Sequence, residues 1–335
     1  MTEMAFQRLP WQQGIWLRLQ QARHQERLPH AMLFAGPEGV GKANFALAFA
    51  QSLLCANPDD QGEPCGECRH CHLLQAGNHP DFQMVSPEEG SKSGDIKIDM
   101  IRNLTSSATL TAQSGGYKVV IVKPAERMNS AAANSLLKTL EEPVSNTLLM
   151  LLSDHPSRLL PTIRSRCQQF KFPYPKRDEA TQWLASHIDS GDARSLLDLA
   201  GGAPLNALKM DSDETLSRRL EILRAFIGIG QNQLDPVKIV AEWSKHDYKQ
   251  LMEWLTGWII DMLRLQVSQQ PPLLYNWDEK QTLQRIAEQL NSGVLQRFLI
   301  QIYEVRNLTD SNLNPQLMLE KLLIDWQTCL RQAGH

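Results

Sequence analysis

The residues best suited to chemistry form a glycine-rich loop with one lysine, in which residues 36–43 read GPEGVGKA. This sequence matches all but the last position of the pattern G-x-x-x-x-G-K-[ST], in which backbone N–H groups and the lysine hold nucleotide phosphates. The last position is Ala43, which lacks the hydroxyl that binds Mg²⁺ in such loops. The candidate phosphate contacts are Gly36, Gly39, Gly41 and Lys42. The loop is therefore predicted to descend from a phosphate-binding loop and to lack the residue that binds Mg²⁺ there.

The strand that would supply the remaining metal ligands also lacks them. In phosphate-loop enzymes, an acidic residue after a buried strand helps to hold Mg²⁺. Here the apolar run 119–122 ends in Lys123-Pro124. Because phosphoryl transfer depends on Mg²⁺ bridging the phosphates, we expect no intrinsic ATPase activity and no Mg-ATP turnover. Nucleotide binding stays open, since backbone N–H groups and Lys42 can cradle phosphate without a metal.

Four clustered cysteines predict a second site, formed by Cys55, Cys65, Cys68 and Cys71. In a reducing compartment, such crowding indicates metal more often than disulfides. Thiolates at this spacing can converge on one tetrahedral zinc ion, with Zn–S distances of about 2.3 Å. An iron–sulfur cluster is an alternative, because CxxCxxC also begins ferredoxin motifs, and free thiols are a third. The favoured prediction is one structural zinc, because four sulfurs leave no position for a reactive water.

Alternating strand and helix patterns must position these residues. From residue 11 to about 170, the alternation is typical of a doubly wound parallel sheet. The glycine loop lies between a buried strand at 31–35 and a helix over 45–54. From Pro173 onward every segment has a helical pattern, and five tryptophans of this region are expected to anchor its core: Trp243, Trp254, Trp258, Trp277 and Trp326. The predicted domains are an α/β phosphate-loop domain at 1–172 with a zinc module at 55–78, a small helical lid at 173–210 and an all-helical domain at 211–335.

Length and composition exclude several classes of protein. A chain of 335 residues is expected to form more than one domain, and 42% hydrophobic with 21% charged residues is ordinary for a soluble globular protein. No apolar run approaches the roughly 20 residues of a membrane span, and the N-terminus lacks a signal-peptide pattern, so we expect a cytoplasmic protein. The net charge of −3 means that any DNA contact must be local.

Three further segments carry a family resemblance. Residues 134–143 read NSLLKTLEEP, the triplet Ser165-Arg166-Cys167 follows, and residues 312–323 read NLNPQLMLEKLL. Together with the glycine loop and the cysteines, these segments resemble the bacterial clamp-loader subfamily of AAA+ proteins over nearly the whole chain. The resemblance implies an AAA+ P-loop domain with a zinc insert, a lid domain and an all-α C-terminal collar that oligomerises.

The resemblance divides the family into motor subunits with intact ATP sites and a stator subunit with a degenerate one. Ala43, Lys123 and Pro124 are typical of the stator, and so is Leu205, where motor subunits carry a phosphate-sensing arginine. The implied function is that of a non-hydrolysing subunit in ATP-driven loading of the sliding clamp onto primed DNA in replication. The implied partners are the gamma or tau motor subunits, the delta subunit, the clamp indirectly and primed DNA, within a DNA-directed DNA polymerase (nucleotidyltransferase) holoenzyme.

The same resemblance implies roles for three basic residues. In this family the arginine at Arg166 reaches the ATP of the neighbouring subunit, where a guanidinium supplied in trans stabilises developing negative charge. The alternative is a surface arginine near a helix end. Lys97 and Arg102 belong to a helix predicted at 96–109, at positions where motor subunits contact the DNA backbone. The alternative for both is a solvated helix face.

Two other functions stay open. A weak P-loop ATPase with unusual ligands would hydrolyse ATP as an isolated chain, which an ATPase assay tests. A zinc-stapled DNA-binding module in repair or transcription would act without replication partners, which size-exclusion chromatography with those partners tests. The missing metal ligands disfavour the first function, and the acidic net charge and the helical C-terminal region disfavour the second.

Overall fold

A computed structural model describes residues 6–88, 94–108, 112–113, 116–144, 146–188, 192–211, 213–244, 246–271, 273–308 and 314–333. Thr109, Asn312 and Leu313 belong to predicted segments but lie outside the described residues. The chain divides into two units, Met1–Trp183 and Leu184–His335. The finer division into phosphate-loop, lid and collar domains stays a prediction. Among the described residues, no helix is long and apolar enough to cross a membrane.

Five parallel strands form the sheet of the first unit, in the order β2-β3-β4-β1-β5. They are β1 (Ala31–Ala35), β2 (Phe82–Val85), β3 (Lys118–Val122), β4 (Thr147–Ser153) and β5 (Gln168–Lys171). Every residue of β1, β3 and β4 is buried, because a parallel sheet covered by helices on both faces needs continuous apolar runs. The predicted parallel α/β sheet is confirmed.

Helices cover both faces of this sheet. They are α1 (Gln13–His24), α2 (Lys42–Leu54), α3 (Arg69–Gln75), α4 (Ile98–Ala108), α5 (Ser130–Glu141) and α6 (Pro161–Arg164), and α7 (Arg177–Ala185) follows β5 along the chain. Phe34 of β1 packs against Phe45 of α2, whereas its neighbour Leu33 lies in a second core with Leu136 of α5. Since successive side chains of a strand point to opposite faces, the sheet is doubly wound.

The carboxyl ends of the central strands bring three loops to one edge of the sheet. Gly36 follows β1, Lys123 follows β3 and Asp154 follows β4. The Gly36 N–H donates to the Ser153 carbonyl at 3.2 Å, so the β1–β4 pairing continues into the glycine loop. Open α/β sheets bind their ligands at this edge.

The cysteine-rich segment lies between α2 and β2 and packs on α1. Trp16 Nε1 donates to the Gln61 carbonyl at 3.1 Å. Gln20 Nε2 donates to the Gly62 carbonyl at 3.3 Å. Hydrogen bonds from α1 therefore hold residues 61 and 62 of this segment without a metal.

Helices form the second unit throughout its described residues. They are α8 (Ala193–Leu199), α9 (Pro204–Met210), α10 (Asp213–Gly230), α11 (Pro236–Trp243), α12 (Tyr248–Val267), α13 (Lys280–Gln289), α14 (Ser292–Leu308) and α15 (Pro315–Ala333). Phe226 stacks on Trp326 with ring centroids 4.4 Å apart, and Trp258 is fully buried beside them. The predicted helical C-terminal region with tryptophan anchors is confirmed at these positions.

Trp277 does not follow that pattern, and its expected place in the core is wrong. Its side chain is 43% exposed, and Lys280 Nζ lies 5.4 Å from its ring centroid. The preceding residue explains this position, because the buried Asp261 accepts hydrogen bonds from the N–H and Nδ2 of Asn276. These bonds fix the turn before α13, and the next side chain along points outward.

Candidate phosphate-loop and metal sites

The loop between β1 and α2 adopts a conformation that requires glycine. Gly41 is the N-cap of α2 with φ 87°, in the left-handed region that side chains rarely adopt. A Cβ at Gly36 would lie 2.0 Å from the carbonyl oxygen of Phe172. Gly39 also has a positive φ, at 78°. The structure thus brings the candidate phosphate contacts into one loop at the ligand-binding edge of the sheet, and their role stays a prediction.

Lys42 begins α2 and turns back onto its own loop. Its Nζ donates to the carbonyl oxygens of Gly36 and Pro37, each at 2.6 Å. The same Nζ pairs with Oδ1 of Asp154 at 2.6 Å, and the lysine side chain is only 7% exposed. An ammonium group has three N–H donors, so these three contacts use all of them.

Asp154 is held in place from the loop that follows β3. Oε1 of Glu126 accepts the backbone N–H groups of Asp154 at 2.9 Å and His155 at 3.1 Å. The other oxygen, Oε2 of Glu126, is buried and has no hydrogen-bond partner within the described residues. Glu126 therefore fixes the turn after β4 and with it the carboxylate that faces Lys42.

The positions that should bind Mg²⁺ carry no ligands. The methyl group of Ala43 packs against the apolar core beneath α2, and Lys123 is exposed. Pro124 offers no side-chain oxygen. Glu126 and Asp154 do lie at this edge, but Glu126 already accepts two N–H groups and Asp154 pairs with Lys42.

The four cysteines converge in space. Their sulfurs all lie within 4.8 Å of one another, with Cys55 Sγ 3.4 Å from Cys65 Sγ and 3.9 Å from Cys68 Sγ. Four sulfurs at about 2.3 Å from a tetrahedral ion would be roughly 3.8 Å apart. The donor set therefore fits a single metal ion, whereas a multi-iron cluster would hold the sulfurs apart by its own width.

Local structure already favours thiolate at one of these cysteines. Cys68 is the N-cap of α3, and its sulfur accepts the Cys71 N–H at 3.5 Å. Burial alone would raise the pKa of the Cys68 thiol, but N–H donors from Ala56 and Cys71 outweigh burial and lower this pKa to about 6. Burial and the neighbouring thiols raise the pKa of Cys71. Since thiolate is the ligand form, an ion binding here would release protons.

Arg166 follows α6 and lies at the surface of the first unit. Its Nη2 pairs with Oε1 of Glu141 at 2.7 Å, and its Nη1 donates to the Thr162 carbonyl at 2.9 Å. The arginine side chain is 37% exposed, and that of Glu141 is 51% exposed. The neighbouring Cys167 is buried, which anchors the chain beside an outward-facing guanidinium.

The two DNA-contact candidates lie at the start of the α4 region. Lys97 pairs with Glu88 at 3.4 Å, and Arg102 lies 3.6 Å from Asp99 on the same helix. Both basic side chains are more than half exposed. Each has an acidic neighbour, so nothing in the geometry distinguishes a DNA contact from a solvated helix face, and the prediction remains untested.

Comparison with known proteins identifies the family. The family described as DNA polymerase III, delta subunit, matches residues 11–176, and the one described as its C-terminal part matches residues 213–328. DNA polymerase III subunit delta' of Pseudomonas aeruginosa is 37% identical over 324 residues, which cover 95% of this chain and 96% of that protein. The chain belongs to the DNA polymerase III delta' family. The resemblance inferred from the sequence is thus confirmed.

Other delta' proteins give the same result. Subunit delta' of Haemophilus influenzae is 33% identical over 317 residues, covering 92% of this chain and 94% of that protein. Among solved structures, a DNA polymerase III gamma subunit-related protein from Thermotoga maritima is 18% identical and covers 93% of this chain and 99% of its own, with a TM-score of 0.46.

Sequence reasoning missed the acidic partners in this delta' family member. Asp154 faces Lys42, Glu126 holds Asp154, and Glu141 pairs with Arg166. One signal was available, because an acidic residue directly after a buried strand lies at the same sheet edge as a glycine loop. For Glu141 the sequence indicated only a solvated face or an interface contact.

Proposed function

We propose that this chain is the non-hydrolysing stator subunit of a clamp loader, which helps to load the sliding clamp onto primed DNA in replication. The observation that carries the proposal is delta' family membership together with a phosphate loop whose metal-ligand positions are Ala43, Lys123 and Pro124. The proposed partners are the gamma or tau motor subunits, the delta subunit, primed DNA and, indirectly, the clamp. The proposed location is the cytoplasm.

We expect no ATP hydrolysis, because the chain lacks the residues expected to bind the Mg²⁺ that must stabilise the negative charge of phosphoryl transfer. Phosphoryl transfer spreads negative charge over the phosphate oxygens, and Mg²⁺ with basic side chains must stabilise it. Here Asp154 pairs with Lys42, and one oxygen of Glu126 accepts two N–H groups. The positions where metal ligands are expected hold Ala43, Lys123 and Pro124. The isolated chain is therefore not an ATPase, and it contributes no catalytic activity of its own to the holoenzyme.

Arg166 is the residue through which this subunit acts on ATP held elsewhere. Its guanidinium is partly exposed and is held by a half-exposed carboxylate, one carbonyl and the Ser165 hydroxyl. A phosphate is a better acceptor for the planar guanidinium than one carboxylate oxygen, because it can bind two N–H groups at once. We assign Arg166 to the ATP of the neighbouring motor subunit, where it would stabilise the transition state.

The cysteine site is proposed to hold one zinc ion with a structural role. Cys55, Cys65, Cys68 and Cys71 supply four sulfurs at distances suited to one tetrahedral ion. When bound, zinc would close the segment at 55–78 by linking the end of α2 to α3. Four protein ligands leave no place for a water, so this site carries no metal-ion catalysis.

One reconstitution experiment tests the proposal. Purified chain is mixed with the motor and delta subunits, and assembly, DNA-stimulated ATPase and clamp loading are measured. Omitting this chain should abolish loading, although the chain alone has no ATPase activity. A complex that loads the clamp equally well without it would refute the stator role.

A further inference from the structure

We propose that Asp154 acts as an internal substitute for nucleotide phosphate, which holds the glycine loop of residues 36–42 closed and excludes phosphate ligands from it. This inference goes beyond the proposed function. Missing metal ligands explain why ATP would not be hydrolysed, whereas the Lys42–Asp154 pair determines whether phosphate can bind at all.

First, every N–H donor of Lys42 already has an acceptor within the chain. In a phosphate loop the lysine reaches the β- and γ-phosphates. Here the three N–H donors of Lys42 are used by two loop carbonyls and by Oδ1 of Asp154, each at 2.6 Å. A phosphate oxygen can therefore contact Nζ only by displacing one of these acceptors.

Second, the Asp154 carboxylate carries a negative charge, which repels a phosphate. Asp154 places this carboxylate against Lys42, the lysine that contacts phosphate in such loops. The carboxylate and an incoming phosphate are both negative, and like charges at such distances repel strongly when they are shielded from water. Glu126 accepts the backbone N–H groups of Asp154 and His155, which fixes the Asp154 backbone at this edge of the sheet. From that backbone the carboxylate reaches Lys42 Nζ, where its charge opposes a phosphate.

Third, the segment before α1 contacts the glycine loop at Val40 and Gly41. Trp11 Nε1 donates to the Val40 carbonyl at 3.0 Å, and Gln12 Nε2 donates to the Gly41 carbonyl at 2.8 Å. Gln12 is buried, and a Cβ at Gly41 would lie 2.2 Å from Leu9 Cδ1. The segment before α1 therefore packs tightly on the loop, and the loop cannot open toward it without breaking these contacts.

The test compares charge-removing variants of the full chain. Asp154→Asn removes the carboxylate charge with little change in shape, and Asp154→Ser serves if the first variant does not fold. Glu63→Gln is the matched control, because Glu63 pairs with Arg8 at 2.6 Å, is 34% exposed against 29% for Asp154, and loses the same charge. Isothermal titration calorimetry measures binding of tripolyphosphate and of ATP, each with and without Mg²⁺.

The wild-type chain and Glu63→Gln should show no saturable binding up to about 1 mM of either ligand. Asp154→Asn should bind at least about tenfold more tightly, with Kd at or below roughly 0.1 mM, and adding Lys42→Ala should abolish the gain. Failure of folded Asp154→Asn or Asp154→Ser to bind, or wild-type binding as tight as theirs, refutes the proposal.

A measurement on the wild-type chain needs no variant. Acylation of lysines followed by mass spectrometry reports the reactivity of Lys42, which the ion pair and burial should keep low. Addition of tripolyphosphate should leave that reactivity unchanged. Further protection of Lys42 that saturates below about 0.1 mM tripolyphosphate would mean that phosphate binds despite Asp154, and the proposal would be wrong.

Discussion

Replacing Arg166 with alanine should remove ATP turnover from one site of a reconstituted clamp loader, that of the neighbouring motor subunit. On the proposed function, the chain that is changed has no ATPase activity of its own to lose. The defect should therefore appear as a partial loss of DNA-stimulated ATPase, about the share of one site. Clamp loading should fall further if the motor sites act in order.

The resting contacts of Arg166 set the scale of the competing effect. Its partner Glu141 is 51% exposed, and exposed ion pairs contribute about 0.2–1 kcal/mol. Leaving Glu141 for a phosphate thus costs at most about a fivefold factor, whereas an arginine supplied in trans is worth about 10³–10⁵ in GTPases. Glu141→Gln should accordingly change the rate by no more than about fivefold, and Arg166→Ala should eliminate turnover at the affected site.

The assay compares complexes of equal stoichiometry, so that an assembly defect is not mistaken for a catalytic one. Arg164→Ala is the matched control, because Arg164 is an exposed arginine at the end of α6, two residues before Arg166. Arg166→Lys should not restore activity, since an ammonium lacks the planar fork that spans two phosphate oxygens. Equal ATPase and loading rates for wild type and Arg166→Ala would return Arg166 to an ordinary surface residue.

Three further predictions follow from the same sites. The isolated chain should hydrolyse no ATP, and steady-state turnover that Lys42→Ala abolishes would contradict this. Metal analysis should find one zinc per chain. Chelation or the Cys65→Ser/Cys68→Ser double variant should expose the segment at 55–78 to protease, while the sheet keeps its protection from hydrogen exchange. Finding iron, or zinc retained stoichiometrically by the double variant, would contradict the assignment. Arg102→Ala should lower the salt slope of DNA binding by the assembled complex by about one unit, and an unchanged slope and affinity would favour a solvated helix face.

Local signals predicted the fold of the first unit well. Asparagine is a preferred N-cap residue, and Asn129 caps α5, with its Oδ1 accepting the Ala132 N–H. Pro143 predicts a helix end at Glu142, because the residue before proline disfavours helix, and α5 ends one residue earlier, at Glu141. The apolar runs that form β1 and β3 were also placed correctly. Such features depend on neighbours in sequence, so one chain suffices to read them.

Contacts between distant residues were harder to predict. The pairing of Lys42 with Asp154 depends on β1 and β4 being adjacent in the sheet and on Glu126 fixing the turn after β4. Sequence spacing reports neither fact. The prediction that Trp277 lies in the core was wrong for a related reason, because hydrogen bonds to the distant Asp261 fix the turn that carries Trp277.

Lys42 and Arg166, the cations of the two candidate roles, differ in how many of their N–H donors have acceptors within the described residues. Lys42 is 7% exposed, and all its N–H donors have acceptors inside the chain. Arg166 is 37% exposed, and its described acceptors are Thr162, Ser165 and Glu141. A guanidinium has five N–H donors, so two remain without an acceptor in the described part of the chain. Phosphate oxygens held by another subunit can bind these donors, and none remain for phosphate at Lys42. This difference supports the proposals that Arg166 acts on a neighbour's nucleotide and that the loop around Lys42 excludes phosphate.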